Sequence, residues 1–183
     1  MMKTMQNLIG VMATLFLALS VSSCGSASGT VDPLSLFNDS SIPQLDPIIN
    51  SGYAFTSGQA FSASTPYWIF NNGSAFGQSY VAPAKGIVTS IGAATFGGIT
   101  GPYITIVHSG RLATRIIGIS PFVRSGDSVI SGQQIGTVVG YVGSSIAFQV
   151  LLDGTPVCPI SYLSTTFRTQ FLPYFSNVSS LCN

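Results

Sequence analysis

Hydrophobic and polar positions between residues 51 and 165 recur at strand spacing. No stretch of helix length repeats its apolar residues every 3.6 positions; instead, short β-branched and aromatic runs lie between turn signals. "SYVAPAKGIVTSIGA" (79–93) reads as a strand pair broken at Pro83 and Gly86. "PYITIVHSG" (102–110) alternates and ends on a turn, and "RLATRIIGI" (111–119) is a further strand. "VRSGDSVISGQQIGTVV" (123–139) sets Gly-Asp and Ser-Gly turns around a short strand. "GSSIAFQVLLDGTPVCPISYL" (143–163) is a buried strand, a turn at Asp153-Gly154 and a short return. The pattern predicts an all-β domain, a compact sandwich or half-barrel of short, mainly antiparallel strands. Beyond it, Phe167, Phe171 and Phe175 fall at helical spacing, interrupted by Pro173, and read as packing.

The 183 residues suit one domain with appendages. With 46% hydrophobic and 6% charged residues, most of the chain has the material for a core and is a poor candidate for disorder. The six basic residues are scattered and the net charge is +1, so nothing here would release counterions from a nucleic acid. All five acidic residues are aspartates, which excludes a glutamate general base.

The first residues alter the picture of where the protein resides. "MMKTMQNLIGVMATLFLALSVSSC" carries one cation, Lys3, and an apolar run from Leu8 to Val21, the anatomy of a secretory signal over residues 1–23. It closes on Val21-Ser22-Ser23-Cys24, which resembles a bacterial lipobox and implies lipid attachment at Cys24 and a membrane partner. Acyl chains contribute about 0.8 kcal/mol per buried methylene, so several on one residue anchor stably. Gly25 after the cysteine favours the outer membrane, facing periplasm or cell surface. Lipidation of one cysteine leaves two, Cys158 and Cys182, expected to form a structural disulfide in an oxidising envelope. Residues 24–50, rich in Ser, Pro, Asp and Asn, read as a tether with short apolar patches that can dock. The domain itself is expected over 51–165, with 166–183 as a C-terminal segment tied back by the disulfide.

Six stretches occur in one order: "APAKGIV" from Ala82, "GPYITIVHSG" from Gly101, "LATRIIGIS" from Leu112, "VRSGDSVISGQQIG" from Val123, "IAFQV" from Ile146 and "GTPVCPISYL" from Gly154. Together they resemble the LytM-type, lysostaphin-like zinc metallopeptidases that cut peptidoglycan cross-bridges, over roughly residues 66–163. The resemblance implies the LytM-like fold, built on a duplicated hybrid motif. It also implies a zinc site, and there this sequence departs from the family. Tyr67 and Asn71 stand at the upstream histidine and aspartate ligands, and Ala147 at the ligand histidine of the family's HxH strand. Gly118 and Ser145 replace two histidines that assist catalysis. Alanine and glycine offer no donor atom, and neutral Asn or Tyr is a poor substitute for carboxylate or imidazole. No cofactor is therefore expected.

Other chemistry is thinner still. His108 matches a family histidine that is not a primary ligand and reads as a strand-end residue bonded to backbone. No G-x-S-x-G or phosphate-cradling glycine pattern occurs. The glycine-turn segments also resemble biotinyl and lipoyl carriers, but Lys85 lacks a carrier lysine's flanking context and reads as a solvated turn residue. The expectation is a non-catalytic envelope lipoprotein. Its groove, near Tyr67, Asn71, Arg115, Gly118, Ser145 and Ala147, would bind peptidoglycan or regulate a cell-wall hydrolase such as an amidase. The alternatives are an active peptidoglycan zinc endopeptidase and a structural or adhesive surface lipoprotein.

Overall fold

The computed structural model describes residues 40–49, 55–72, 77–96, 99–139, 145–175 and 181–182. The signal segment, Cys24 and residues 25–39 lie outside the described residues. Eleven strands and one α-helix are described: β1 (Phe55–Gln59), β2 (Trp68–Asn72), β3 (Ser79–Val81), β4 (Gly86–Phe96), β5 (Ile99–Val107), β6 (Leu112–Ile117), β7 (Ile119–Pro121), β8 (Ser128–Val129), β9 (Gln134–Val138), β10 (Ser145–Leu152), β11 (Thr155–Val157) and α1 (Thr165–Phe171). The large sheet runs β1-β2-β10-β6-β5-β4-β8, with β11 also paired to β10, and a small sheet runs β3-β9-β7. The strand pairs within both sheets are antiparallel. The all-β expectation holds.

Two local readings change. The 79–93 stretch is not a pair: β3 joins the small sheet and β4 the large one, because Pro83 and the turn after it redirect the chain. The 111–119 run is two strands. Gly118 adopts φ +91, which an extended strand residue does not, and there the chain leaves the large sheet for the small one. The turn at Asp153-Gly154 is as expected: both residues have positive φ, and Leu152 faces Thr155 across a two-residue hairpin.

Period-2 alternation divides the large sheet into two faces. On one, Trp68 and Phe70, Ile104 and Ile106, Leu112 and Ile116, and Ile146, Phe148 and Val150 are buried in the main core. Each such side chain contributes about 1.5–3 kcal/mol by leaving water. Residues 45–49, placed by sequence in the tether, close this core: Leu45 and Ile48 are buried, Leu45 bridges Leu163, and Ile49 bridges Tyr80. Ser164 caps α1 by accepting from the Phe167 amide. The helix lays Phe167 against Phe148 and Phe171 against Phe70, and Phe175 follows against Trp68. The Cys158–Cys182 disulfide is present, and Leu181 beside it accepts a hydrogen bond from Trp68 Nε1 at 3.4 Å.

Candidate functional site

The opposite face of the large sheet carries the positions singled out by sequence. Residues directly across a strand pair point to the same side, so the register fixes the arrangement. In β10, Ser145 faces Asn71 of β2, Ala147 lies between Ile69 of β2 and Ile117 of β6, and Gln149 faces Arg115 of β6. In β5, Tyr103 faces Ile117 and Thr105 faces Arg115. Three rows cross the sheet: a polar row through Asn71 and Ser145, an apolar row through Ala147, and a second polar row through Gln149, Arg115 and Thr105.

The apolar row sits where the resemblance would place a metal. Tyr67, Ile69, Ile117 and Ala147 are buried together, with Phe96, Ile99 and Tyr103 packed against them. Tyr67 meets the Phe96 ring edge-on at 6.0 Å between centroids. In the first polar row, the Ser145 hydroxyl donates to Asn71 Oδ1 at 2.6 Å, and Asn71 Nδ2 donates to Ser57 Oγ at 2.7 Å. A Cβ on Gly118 would stand 3.0 Å from the Ser145 carbonyl oxygen, and positive φ adds strain for any other residue. Any side chain at this position, a histidine included, would meet both that contact and that strain.

In the second polar row, Arg115 Nε donates to Thr105 Oγ1 at 3.1 Å, and the guanidinium carbon lies 5.7 Å from the Phe96 ring and 5.5 Å from the Tyr103 ring. Gln149 is 3% exposed; its Nε2 donates to the Pro66 carbonyl at 3.0 Å, which holds the segment before Tyr67 over the sheet. Its Oε1 is buried without a partner among the described residues. Tyr67, Asn71, Arg115, Gly118, Ser145 and Ala147 are thus brought to one region on β2, β6, β10 and their borders. Sequence reading missed Ile69, Tyr103, Thr105, Ile117 and Gln149. Alternation from Ala147 and Arg115 along their strands, with the correct register, is the signal that would have found the last three.

His108 is not part of this face. It is fully buried beside Thr114, which alternation places with Leu112 and Ile116 on the core side of β6. Nδ1 lies 2.9 Å from the Lys85 carbonyl oxygen, which can only accept, so Nδ1 carries the proton. Nε2 then accepts from the Thr114 hydroxyl at 2.8 Å. Burial holds the imidazole down from 6.5 to about 4, against the smaller upward pull of the Lys85 bond. Its lone pair is engaged and its charge disfavoured, the state of a structural histidine. Lys85 is exposed in its turn, as expected.

Zinc does not fit these residues. Among the described residues, no group of three or more His, Cys, Asp or Glu converges. The intervening stretches 73–76, 97–98 and 140–144 contain none of those residue types in the sequence. Ala147 has no donor, and Asn71 and Ser145 bond to each other.

No family model matches the chain, and no curated protein matches it. Solved structures do. One is the SpoIIQ–SpoIIIAH pore-forming complex, at 14% identity and a TM-score of 0.55 over 68% of this chain and 93% of the other. Helicobacter pylori Csd3 matches at 20% identity and a TM-score of 0.52 over 67% of this chain, which corresponds to 35% of its own length. A variant of the catalytic domain of the prophage-encoded M23 protein EnpA from Enterococcus faecalis matches at 19% identity and a TM-score of 0.50, over 64% and 97% of the two chains. The chain has the LytM-like fold.

Proposed function

We propose that this chain is a lipid-anchored envelope protein whose LytM-like domain binds peptidoglycan peptides without cutting them. The observation that carries the reading is the apolar row. Tyr67, Ile69, Ile117 and Ala147 pack together, and Tyr67 and Ala147 are two of the positions that the resemblance assigns to the ligands of a zinc hydrolase, which needs three of them and an activated water. A peptidase would need donors that Ala147 and Gly118 cannot offer. What the half-buried surface of the face does offer is recognition chemistry: amide and hydroxyl groups at Asn71 and Ser145, the rings of Phe96 and Tyr103, and one cation at Arg115. Cys24 would carry the lipid, and Gly25 favours retention at the outer membrane, so the domain would work within reach of the cell wall.

A second reading is favoured by one observation, that a structure sharing this fold is a protein–protein complex, SpoIIQ–SpoIIIAH. On that reading, the same face would engage a cell-wall hydrolase and regulate it. Co-sedimentation with purified sacculi separates the two. The detergent-purified full chain is expected to pellet with sacculi and to leave their peptide cross-links intact over a day. Release of soluble muropeptides would overturn the non-catalytic reading. Failure to pellet, with capture of a hydrolase by crosslinking in cells, would favour the second. Detergent phase partition tests the anchor: the protein should move to the aqueous phase when Cys24 is changed to Ala.

A further inference from the structure

We propose that the outer edge of β4 is an interface through which two copies of this chain join in one sheet. The inference rests on neither the lipid anchor nor peptidoglycan binding. An unpaired row of N–H and C=O groups is a template for another strand, and proteins blunt it with short strands, proline, bulges, charges or a covering segment. The other edges here are blunted in these ways. β3 is covered by Ile48 and Ile49: the Val81 amide donates to the Ile48 carbonyl at 2.9 Å, and Ile49 bridges Tyr80. β7 and β11 are 3 residues long and contain Pro121 and Pro156, and β8 has 2 residues. β1 is broken by a register shift between Phe55 and Ser57. β4 is different. Its stretch from Ser90 to Phe96 pairs residue for residue with β5 on one side. On the other side β8 reaches only Gly86 and Ile87, and the 125–127 turn ends the bonding. There the Asp127 carbonyl accepts from the Val88 amide, the Gly126 amide donates to the Val88 carbonyl, and Ser125 Oγ donates to the Thr89 carbonyl. From Ser90 to Phe96 that side bonds to no described residue, and the run "SIGAATF" holds neither a charge nor a proline.

Main-chain bonds alone would accept any extended strand, and the side chains of this run select a second copy. An antiparallel pair with its two-fold axis at Ala93 sets Ser90 against the partner's Phe96. The shared ladder then fills the free stretch of each copy, from the 125–127 turn to the end of β4, and stops there. Across the axis Ile91 meets the partner's Thr95, both β-branched, and Gly92 meets the partner's Ala94, both small. No charge faces its like. Ala93 and Thr95 are exposed and the rest of the run is half-buried, so an added strand displaces water and no packed neighbour. Antiparallel strands of one sheet are related by an axis perpendicular to that sheet, so the faces carrying Asn71, Arg115 and Ser145 look to the same side in both copies. The pair presents two such faces side by side, the arrangement that gives avidity for a repeating ligand.

The test is sedimentation equilibrium of the full chain in density-matched detergent, at concentrations up to about 1 mM. The wild type is expected to be a reversible monomer–dimer mixture. Ala93→Lys puts two ammonium groups on the axis and should weaken association at least about tenfold, as should Ala93→Asp. An equimolar mixture of the two variants should recover it, because unlike charges then face each other. Cross-linking with a short bifunctional thiol reagent reads the register, with the wild type as background. Ala93→Cys should cross-link copy to copy, since facing Cβ atoms lie about 5 Å apart. Thr95→Cys should not, because the two copies of that residue lie roughly 14 Å apart along the strands. A wild type that stays monomeric throughout would overturn the inference, as would a dimer indifferent to Ala93→Lys or equal cross-linking at 93 and 95. Thermal unfolding unchanged in each variant is the control against misfolding; if a charge variant unfolds early, the two cysteine variants decide.

Discussion

Acidification should destabilise this protein through a single buried group. His108 is neutral in the fold, with its proton on Nδ1 bonded to Lys85 and its Nε2 accepting from Thr114. Burial lowers its pKa from 6.5 to about 4, so between those values the unfolded chain binds a proton that the folded chain refuses. Stability therefore rises with pH across that window. The contribution is complete above 6.5, declines as pH falls from 6.5 towards 4, and is lost below it. A difference of two to three units at 1.36 kcal/mol each makes the loss roughly 3 kcal/mol, a large fraction of the 5–15 kcal/mol typical of a domain. The exposed Asp153, whose pKa is lowered by its bond to Arg111, acts only at more acidic pH, below 3.8. The assay is urea unfolding of tag-free protein at half-unit steps from pH 7.5 to 4.5. It is followed through Trp68, the only tryptophan and fully buried. The midpoint should fall steeply below pH 6.5, and in His108→Gln the slope over this window should flatten. A wild-type midpoint flat down to pH 4.5 would refute the buried, neutral assignment, and a slope unchanged in His108→Gln would refute its attribution to this residue.

Three further perturbations test other parts of the account. Gly118→Ala places a Cβ 3.0 Å from the Ser145 carbonyl at φ +91 and should cost about 1–3 kcal/mol in urea unfolding; a neutral result would mean the β6–β7 crossing is not fixed as described. Removing the disulfide by the double change Cys158→Ala and Cys182→Ala frees a 24-residue separation and should lower stability by roughly 3.5 kcal/mol on the loop-entropy model. Differential scanning calorimetry would read this as a drop in Tm with cooperativity retained. Phe167→Ala empties a fully buried site between Phe148 and Phe171 and should cost about 3–5 kcal/mol; a loss under 1 kcal/mol would mean that α1 is peripheral to the core.

What was legible in the sequence was whatever is written in local alternation. "IAFQVLL" declares its buried face and the Asp-Gly turn after it, because period-2 patterning and two-residue hairpins are local physics. "RLATRIIGI" misled because apolar residues continue through Gly118, and only the backbone angle reveals a crossing between sheets. Leu45–Ile49 were legible only as an apolar patch able to dock, not as core with named partners. Five residues carry no periodicity, and their partners, Tyr80 and Leu163, are distant in sequence. The candidate site shows the same division. Resemblance pointed to the positions where donors are missing, and the structure brings those positions onto one region. What stands at those positions, an apolar row beside an arginine with no carboxylate partner among the described residues, depends on strand register and was not visible from Ala147 or Arg115 alone.

Metal stoichiometry tests the central claim most directly. The full chain, purified in detergent, loaded with excess zinc and dialysed exhaustively, is assayed for bound metal by plasma mass spectrometry. Tyr67, Ile69, Ile117 and Ala147 offer no ligand set, so zinc per chain should fall close to zero. One zinc retained per chain, and lost when Asn71 or Ser145 is changed to Ala, would contradict the account and return the domain to the hydrolases.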